Sequence, residues 1–269
     1  MQTIAHYRIL ERIGENRLGE VFRARDTRLG RTVALTVPPD DFQRDPSKRA
    51  QLASDAHQAM TVSHPNIAAL YETGEDEGRL YLAFEFVPGD ALDRVIAGRA
   101  LNVRRALDLA GQIADALAEA HAAEMAHGDL TPQRVVVTPK GNAKILDFGF
   151  ARWTHGDGGA GDEVADLRAL RALLFEMLTG RAPGAEASAP TALNRSLPAE
   201  VDVIASKPYE SAVTYAAELR SLAAVLEARA ESAEKSRPTP PRSVPRRSKL
   251  PWIAALAALV AAAAWWWMR

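Results

Sequence analysis

Cysteine is absent from all 269 residues, so disulfides, thiolate nucleophiles and cysteine-bound zinc are excluded. The six histidines, His6, His57, His64, His121, His127 and His155, show no zinc-ligand spacing, and no G-x-S-x-G elbow is present. Met1 to Leu10 has no apolar core, and no signal peptide is expected. Acidic residues stop at Glu234. From there Arg237, Arg242, Arg246, Arg247, Lys249 and Arg269 give the tail six positive charges, which leaves −7 on the first 236 residues out of a total of −1. A weakly acidic body argues against nucleic acid as a partner. The hydrophobic share of 47% and charged share of 25% are ordinary, so one large or two small globular domains are expected.

Charge, glycine and proline are all missing from Trp252 to Met268, which reads WIAALAALVAAAAWWWM. As a helix this segment is ~25 Å long at ~1.5 Å per residue, within the range that spans a bilayer. Trp252 and Trp265-Trp266-Trp267 stand at its ends, where indole rings favour the interface. Arg246, Arg247 and Lys249 precede it and place residues 1–250 on the cytoplasmic side. The expectation is a single-pass cell-membrane protein with a transmembrane helix over 251–268. A buried alanine-rich helix is the other reading, and the absent polar face counts against it. Pro238, Pro240, Pro241 and Pro245 alternate with Arg and Ser, so 229–250 reads as an extended juxtamembrane linker. Pro238-x-x-Pro241 is also a candidate groove ligand, less favoured than a plain spacer.

The body alternates strand and helix signals. Tyr7 to Ile13, Glu20 to Arg25, Val33 to Val37, Leu70 to Thr73 and Arg79 to Phe86 predict five strands, with a helix over Pro46 to Met60 capped by Asp45. Val103 to Ala123 is a long apolar-periodic helix. Shorter helices are predicted at Leu167 to Leu178, Val201 to Ala205 and Ser211 to Ala228. Six ordered segments run through this pattern: Ile13-Gly14 to Gly19-Glu20-Val21, Thr32-Val33-Ala34-Leu35-Thr36, Ser63-His64-Pro65-Asn66-Ile67, His127-Gly128-Asp129-Leu130, Asp147-Phe148-Gly149 and Glu176-Met177-Leu178-Thr179-Gly180.

Together they resemble the bacterial-type Ser/Thr protein kinases over roughly residues 7–228. The resemblance implies an α+β bilobal fold. A five-stranded sheet with one helix would occupy 7–87, and a shortened, mainly helical lobe 88–228. It also implies ATP and Mg2+, with Gly14, Gly19, Val21, Ala34, Glu85 and Val87 around the nucleotide. Phe84 would be the gatekeeper, Asp129 the catalytic base and Asp147 the metal ligand.

Several chemical positions depart from the family pattern. The phosphate-gripping lysine is Thr36, neutral and short, and the helix acid that would pair with it is Asp55. Loss of such a charge-assisted bond costs ~1.5–3 kcal/mol of binding. The middle glycine of the loop is Asn16, which tolerates left-handed geometry. In the catalytic loop the arginine is Gly128, the following lysine is Thr131 and the metal-binding asparagine is Arg134. A guanidinium has no lone pair for a metal, and at ~4 Å with an effective dielectric of ~20 it would repel a divalent ion by several kcal/mol. Arg134 is expected to pair with Asp147 or Asp129, in preference to standing in for the metal against phosphate. Only 19 positions separate Asp147 from Asp166, and Gly156, Gly158, Gly159 and Gly161 lie among them. No A-P-E and no peptide-docking platform fit there. The late arginine that would serve A-P-E is also missing around Lys207-Pro208-Tyr209-Glu210.

The expectation is therefore a membrane-anchored pseudokinase that works through a protein partner, such as an active kinase, as scaffold or regulator. The alternative is a weakly active Ser/Thr kinase in which Arg17 or Arg23 supplies a displaced phosphate clamp.

Overall fold

The computed structural model describes residues 2–16, 18–150, 153, 162–184, 189–235 and 250–268. Its first lobe is an antiparallel sheet in the order β1-β2-β3-β4-β6-β5, formed by Thr3–Ile4, Tyr7–Asn16, Gly19–Asp26, Thr32–Val37, Leu70–Asp76 and Arg79–Glu85. This corrects the five-strand expectation, because Thr3–Ile4 pairs with Tyr7 and Arg8 as a sixth strand. Two residues are too few to show alternation, so no pattern announced it. Helix α2, Pro46–Ala59, follows the short α1, Asp40–Gln43. Asp45 caps α2 by accepting from Ser47 N at 2.9 Å and Lys48 N at 3.3 Å, with proline at the first position. The buried residues of α2 are Leu52, Asp55, Ala56 and Ala59, one stripe at helical spacing with a carboxylate set among apolar groups.

The second lobe is built on α4, Val103–Ala122, which buries ten residues, Ala106 and Leu117 among them. It packs against α5, Glu163–Thr179, and against α8, Ala212–Lys235. Short helices α3 (Leu92–Ile96), α6 (Pro190–Leu193) and α7 (Glu200–Ser206) complete the helical part. A small sheet, β7 (Asp90–Ala91), β8 (Val135–Val137) and β9 (Ala143–Ile145), brings Arg134 before β8 and Leu146 after β9 to one end of that strand pair. Asn66 ties the lobes. Its Nδ2 donates to Ala143 O at 2.7 Å and Gln112 Oε1 at 3.0 Å, while its carbonyl accepts from Ile145 N at 2.8 Å.

The chain divides into two units, Met1–Ala228 and Arg229–Arg269. Helix α8 runs past Ala228 to Lys235, so the first residues of the expected linker are helical rather than extended. Ala228 to Lys235 contains neither glycine nor proline, so nothing within that stretch breaks the helix. The proline-rich 236–249, with Pro238, Pro241 and the basic Arg237, Arg242, Arg246, Arg247 and Lys249, lies outside the described residues. Beyond it, α9 spans Leu250–Trp267. Among the described residues no helix is long and apolar enough to cross a membrane, so the fold lends no support to the spanning helix expected over 251–268.

Candidate active site

The first wall of the cleft is the turn between β2 and β3. Asn16 does not take up left-handed geometry there; it remains in the strand, and its Oδ1 accepts from Leu18 N at 2.9 Å and Gly19 N at 3.1 Å. Gly19 has φ +139°, and a Cβ there would stand 2.0 Å from Val37 O, so only glycine permits this packing of loop on sheet. Leu18 is 2% exposed and joins a cluster with Phe84, Phe150 and Leu52. An apolar side chain thus turns inward from the loop that was expected to cradle phosphate. Gly14 pairs with Val21, Val21 with Thr36, and Ala34 with Phe84, so these residues share the sheet beside the cleft.

Thr36 is 1% exposed, between Val21 and Leu82 in the ladder. Asp55, 4% exposed, accepts from Trp153 Nε1 at 2.8 Å and Gln51 Nε2 at 3.0 Å. The indole also packs on Phe42 at 4.6 Å between ring centroids. A buried carboxylate needs hydrogen-bond donors, and among the described residues a tryptophan and a glutamine supply two of them to Asp55. Of the two replacement cations, Arg23 is held by Glu11 at 3.0 Å, and its guanidinium lies 5.8 Å from the Phe86 ring centroid. Arg17 lies outside the described residues, as do Gly156, Gly158, Gly159 and Gly161.

Phe84 is 5% exposed and meets Phe150 edge-on at 5.7 Å, closing the back of the cleft. Glu85 binds Lys144 Nζ through Oε2 at 2.5 Å, and Val87 is half-buried beyond it. Lys144 was not foreseen. It sits between the buried Ala143 and Ile145, and that outward place in β9 is the signal a period-2 reading could have used.

The second wall is a braced loop. Asp166, 1% exposed, accepts from His127 N at 2.8 Å, Gly128 N at 2.7 Å and His121 Nε2 at 2.9 Å. His127 accepts Asp129 N at Nδ1, 3.1 Å away, and Nε2 then donates to Leu146 O at 3.0 Å. Burial holds this imidazole below its ordinary pKa against the pull of Asp166, which keeps it neutral in that tautomer. Phe148 lies edge-on to His127 at 5.2 Å. Thr131 opens the turn Pro132–Arg134, and its carbonyl accepts from Arg134 N at 3.0 Å.

Arg134 joins the two carboxylates. Its Nη1 donates to Asp147 Oδ2 and its Nη2 to Asp129 Oδ2, the latter at 3.2 Å. Asn16 Nδ2 reaches the same Asp147 oxygen at 3.3 Å, so the loop of the first lobe is latched to the second. Asp147 itself has φ +55°. Where the late arginine was missed, Lys207 pairs with Glu218, which also accepts from Tyr209 Oη at 2.7 Å.

A family model, the protein kinase domain, matches residues 7–170. A probable serine/threonine-protein kinase of Streptomyces coelicolor is 35% identical over 200 residues, covering 64% of this chain and 30% of the relative. Serine/threonine-protein kinase PrkC of Bacillus subtilis is 32% identical over 199 residues, covering 66% and 31%. The chain spans about a third of the length of these curated relatives. The kinase domain of PknI from Mycobacterium tuberculosis superposes with a TM-score of 0.69 at 24% identity, covering 83% of this chain and 98% of that one, a likeness of fold.

Proposed function

The chain belongs to the protein kinase family, with bacterial Ser/Thr kinases among its relatives, and we propose that it is a catalytically inactive, membrane-anchored member acting through a protein partner. Kinases of this family use ATP and Mg2+ in general. The observation that carries the proposal is the pair Thr36 and Asp55. Where an active kinase has a lysine joined to a helix acid, this chain has a buried threonine, and the acid is bonded to Trp153 and Gln51. Leu18, packed inward with Phe84 and Phe150, points the same way. With the catalytic grip gone and the fold retained, what remains to act is a shaped surface. We propose an active kinase as the partner it scaffolds or regulates.

Purified protein, radiolabelled ATP and a generic acceptor protein test this. Incorporation is expected to equal that of the Asp147→Ala control, and Thr36→Lys is expected to restore none. Transfer that Asp147→Ala abolishes would establish the other reading, a weakly active kinase. The retained Asp129 and Asp147 and the Asp166 brace favour that reading.

The anchor proposal rests on the composition of Trp252 to Met268 and the basic residues before it. Leu256, Leu259, Val260 and Trp265 to Trp267 are all exposed, as lipid-facing groups would be. The protein is expected to stay in the membrane fraction through an alkaline carbonate wash, with the kinase-like unit open to protease from the cytoplasmic side. Release by carbonate would remove the anchor from the proposal.

A further inference from the structure

We propose that Arg134 is a built-in counter-ion that makes the cleft refuse divalent metal ions, so that any ligand taken up there binds without magnesium. The side chain is placed by its own backbone. Arg134 N donates to Thr131 O at 3.0 Å and Arg134 O accepts from Leu146 N at 2.8 Å, which sets the residue directly beside Asp147. From there the guanidinium forks onto Asp147 Oδ2 and Asp129 Oδ2. The three side chains are only 14%, 15% and 25% exposed for Arg134, Asp147 and Asp129, so water screens them little.

Magnesium takes oxygen ligands in a near-octahedral shell. Asp147 is the oxygen donor the family resemblance offers it, and both Asp147 and the neighbouring Asp129 already accept from one cation. A guanidinium has five N–H donors and no lone pair, so it cannot join the shell. It also keeps its charge at any pH the protein survives, so no titration clears the place. Together the three groups carry a net charge of −1, where the two carboxylates alone would carry −2. A metal would also have to displace Asn16 from Asp147. Among the described residues, no group of three or more His, Cys, Asp or Glu side chains could hold a metal ion instead. The group that the resemblance implies therefore does not fit the residues present.

This inference stands apart from the scaffold proposal, because its readout needs neither nucleotide nor acceptor. The probe is Mn2+ alone, titrated into the full chain in detergent and followed by the loss of the free-ion electron paramagnetic resonance signal. Wild type is expected to bind no manganese at the cleft. Arg134→Asn and Arg134→Gln are expected to gain a site at least roughly tenfold tighter than any in wild type, whereas Arg134→Lys, still cationic, is expected to behave as wild type. No gain in a folded neutral variant overturns the proposal. Should both neutral variants fail to fold, the wild-type titration decides: manganese binding that Asp147→Asn removes overturns it, and no such binding sustains it.

Discussion

Asp166→Ala is expected to destabilise the kinase-like unit by about 3–5 kcal/mol, lowering Tm by roughly 10 °C. The carboxylate is 1% exposed and accepts two backbone N–H groups, from His127 and Gly128, and one ring nitrogen, from His121. Alanine leaves those donors buried without partners, at about 1–3 kcal/mol each, and adds a small void. Asp166→Asn keeps one acceptor oxygen and should lose about half as much. Asp162→Ala makes a useful contrast. Its carboxylate caps the same helix, accepting from Val164 N at 3.0 Å, and makes only a long, exposed ion pair with Arg168 at 3.8 Å, so its loss should cost about 1 kcal/mol. Circular dichroism melts of the three variants check the order. Equal losses for Asp166→Ala and Asp162→Ala would show that the brace is not what holds the loop.

Phe150→Ala is the second large effect, expected at about 3–5 kcal/mol. The ring is fully buried, edge-on to Phe84, and its cluster draws on the turn (Leu18), helix α2 (Leu52, Ala56, Ala59) and the sheet (Leu70, Leu82). Its carbonyl also accepts Trp153 N at 3.0 Å, so the indole on Asp55 is seated from the same residue. Phe150→Leu retains most of the volume and should cost less than half as much. Urea denaturation distinguishes the two. A loss below ~1 kcal/mol for Phe150→Ala would mean that the plug between helix and sheet is not formed.

Much of the fold was legible because its elements are periodic. The strands from Tyr7 onward, the capped helix after Asp45 and the long helix from Val103 all announced themselves through spacing and caps. Thr36, Gly128, Thr131 and Arg134 were singled out from their neighbours in short motifs, and the structure gathers Gly128, Thr131 and Arg134 around one loop. Distance in sequence hid the rest. Trp153 lies 98 positions from Asp55, and no local pattern joins them. Arg134 was expected on one carboxylate or the other, and its forked head takes both, which only three-dimensional placement reveals. Leu18 reads as a loop residue, and its burial depends on a cavity supplied by Phe84, Phe150 and Leu52. The helical run over 229–235 escaped notice because a polar stretch looks like a spacer, yet helix propensity carries α8 on to Lys235.

The Asn66 bracket between the lobes bears on how this molecule can move. One amide side chain and its own carbonyl hold Ala143, Gln112 and Ile145 at once, so swinging the halves apart would rupture three bonds together. Among the described residues, the turn carrying Leu18 is by contrast hydrogen-bonded across the gap through Asn16 and Asp147. Breathing of this protein should therefore resemble the lifting of a flap over a rigid shell, and a partner would meet a surface of nearly fixed contour.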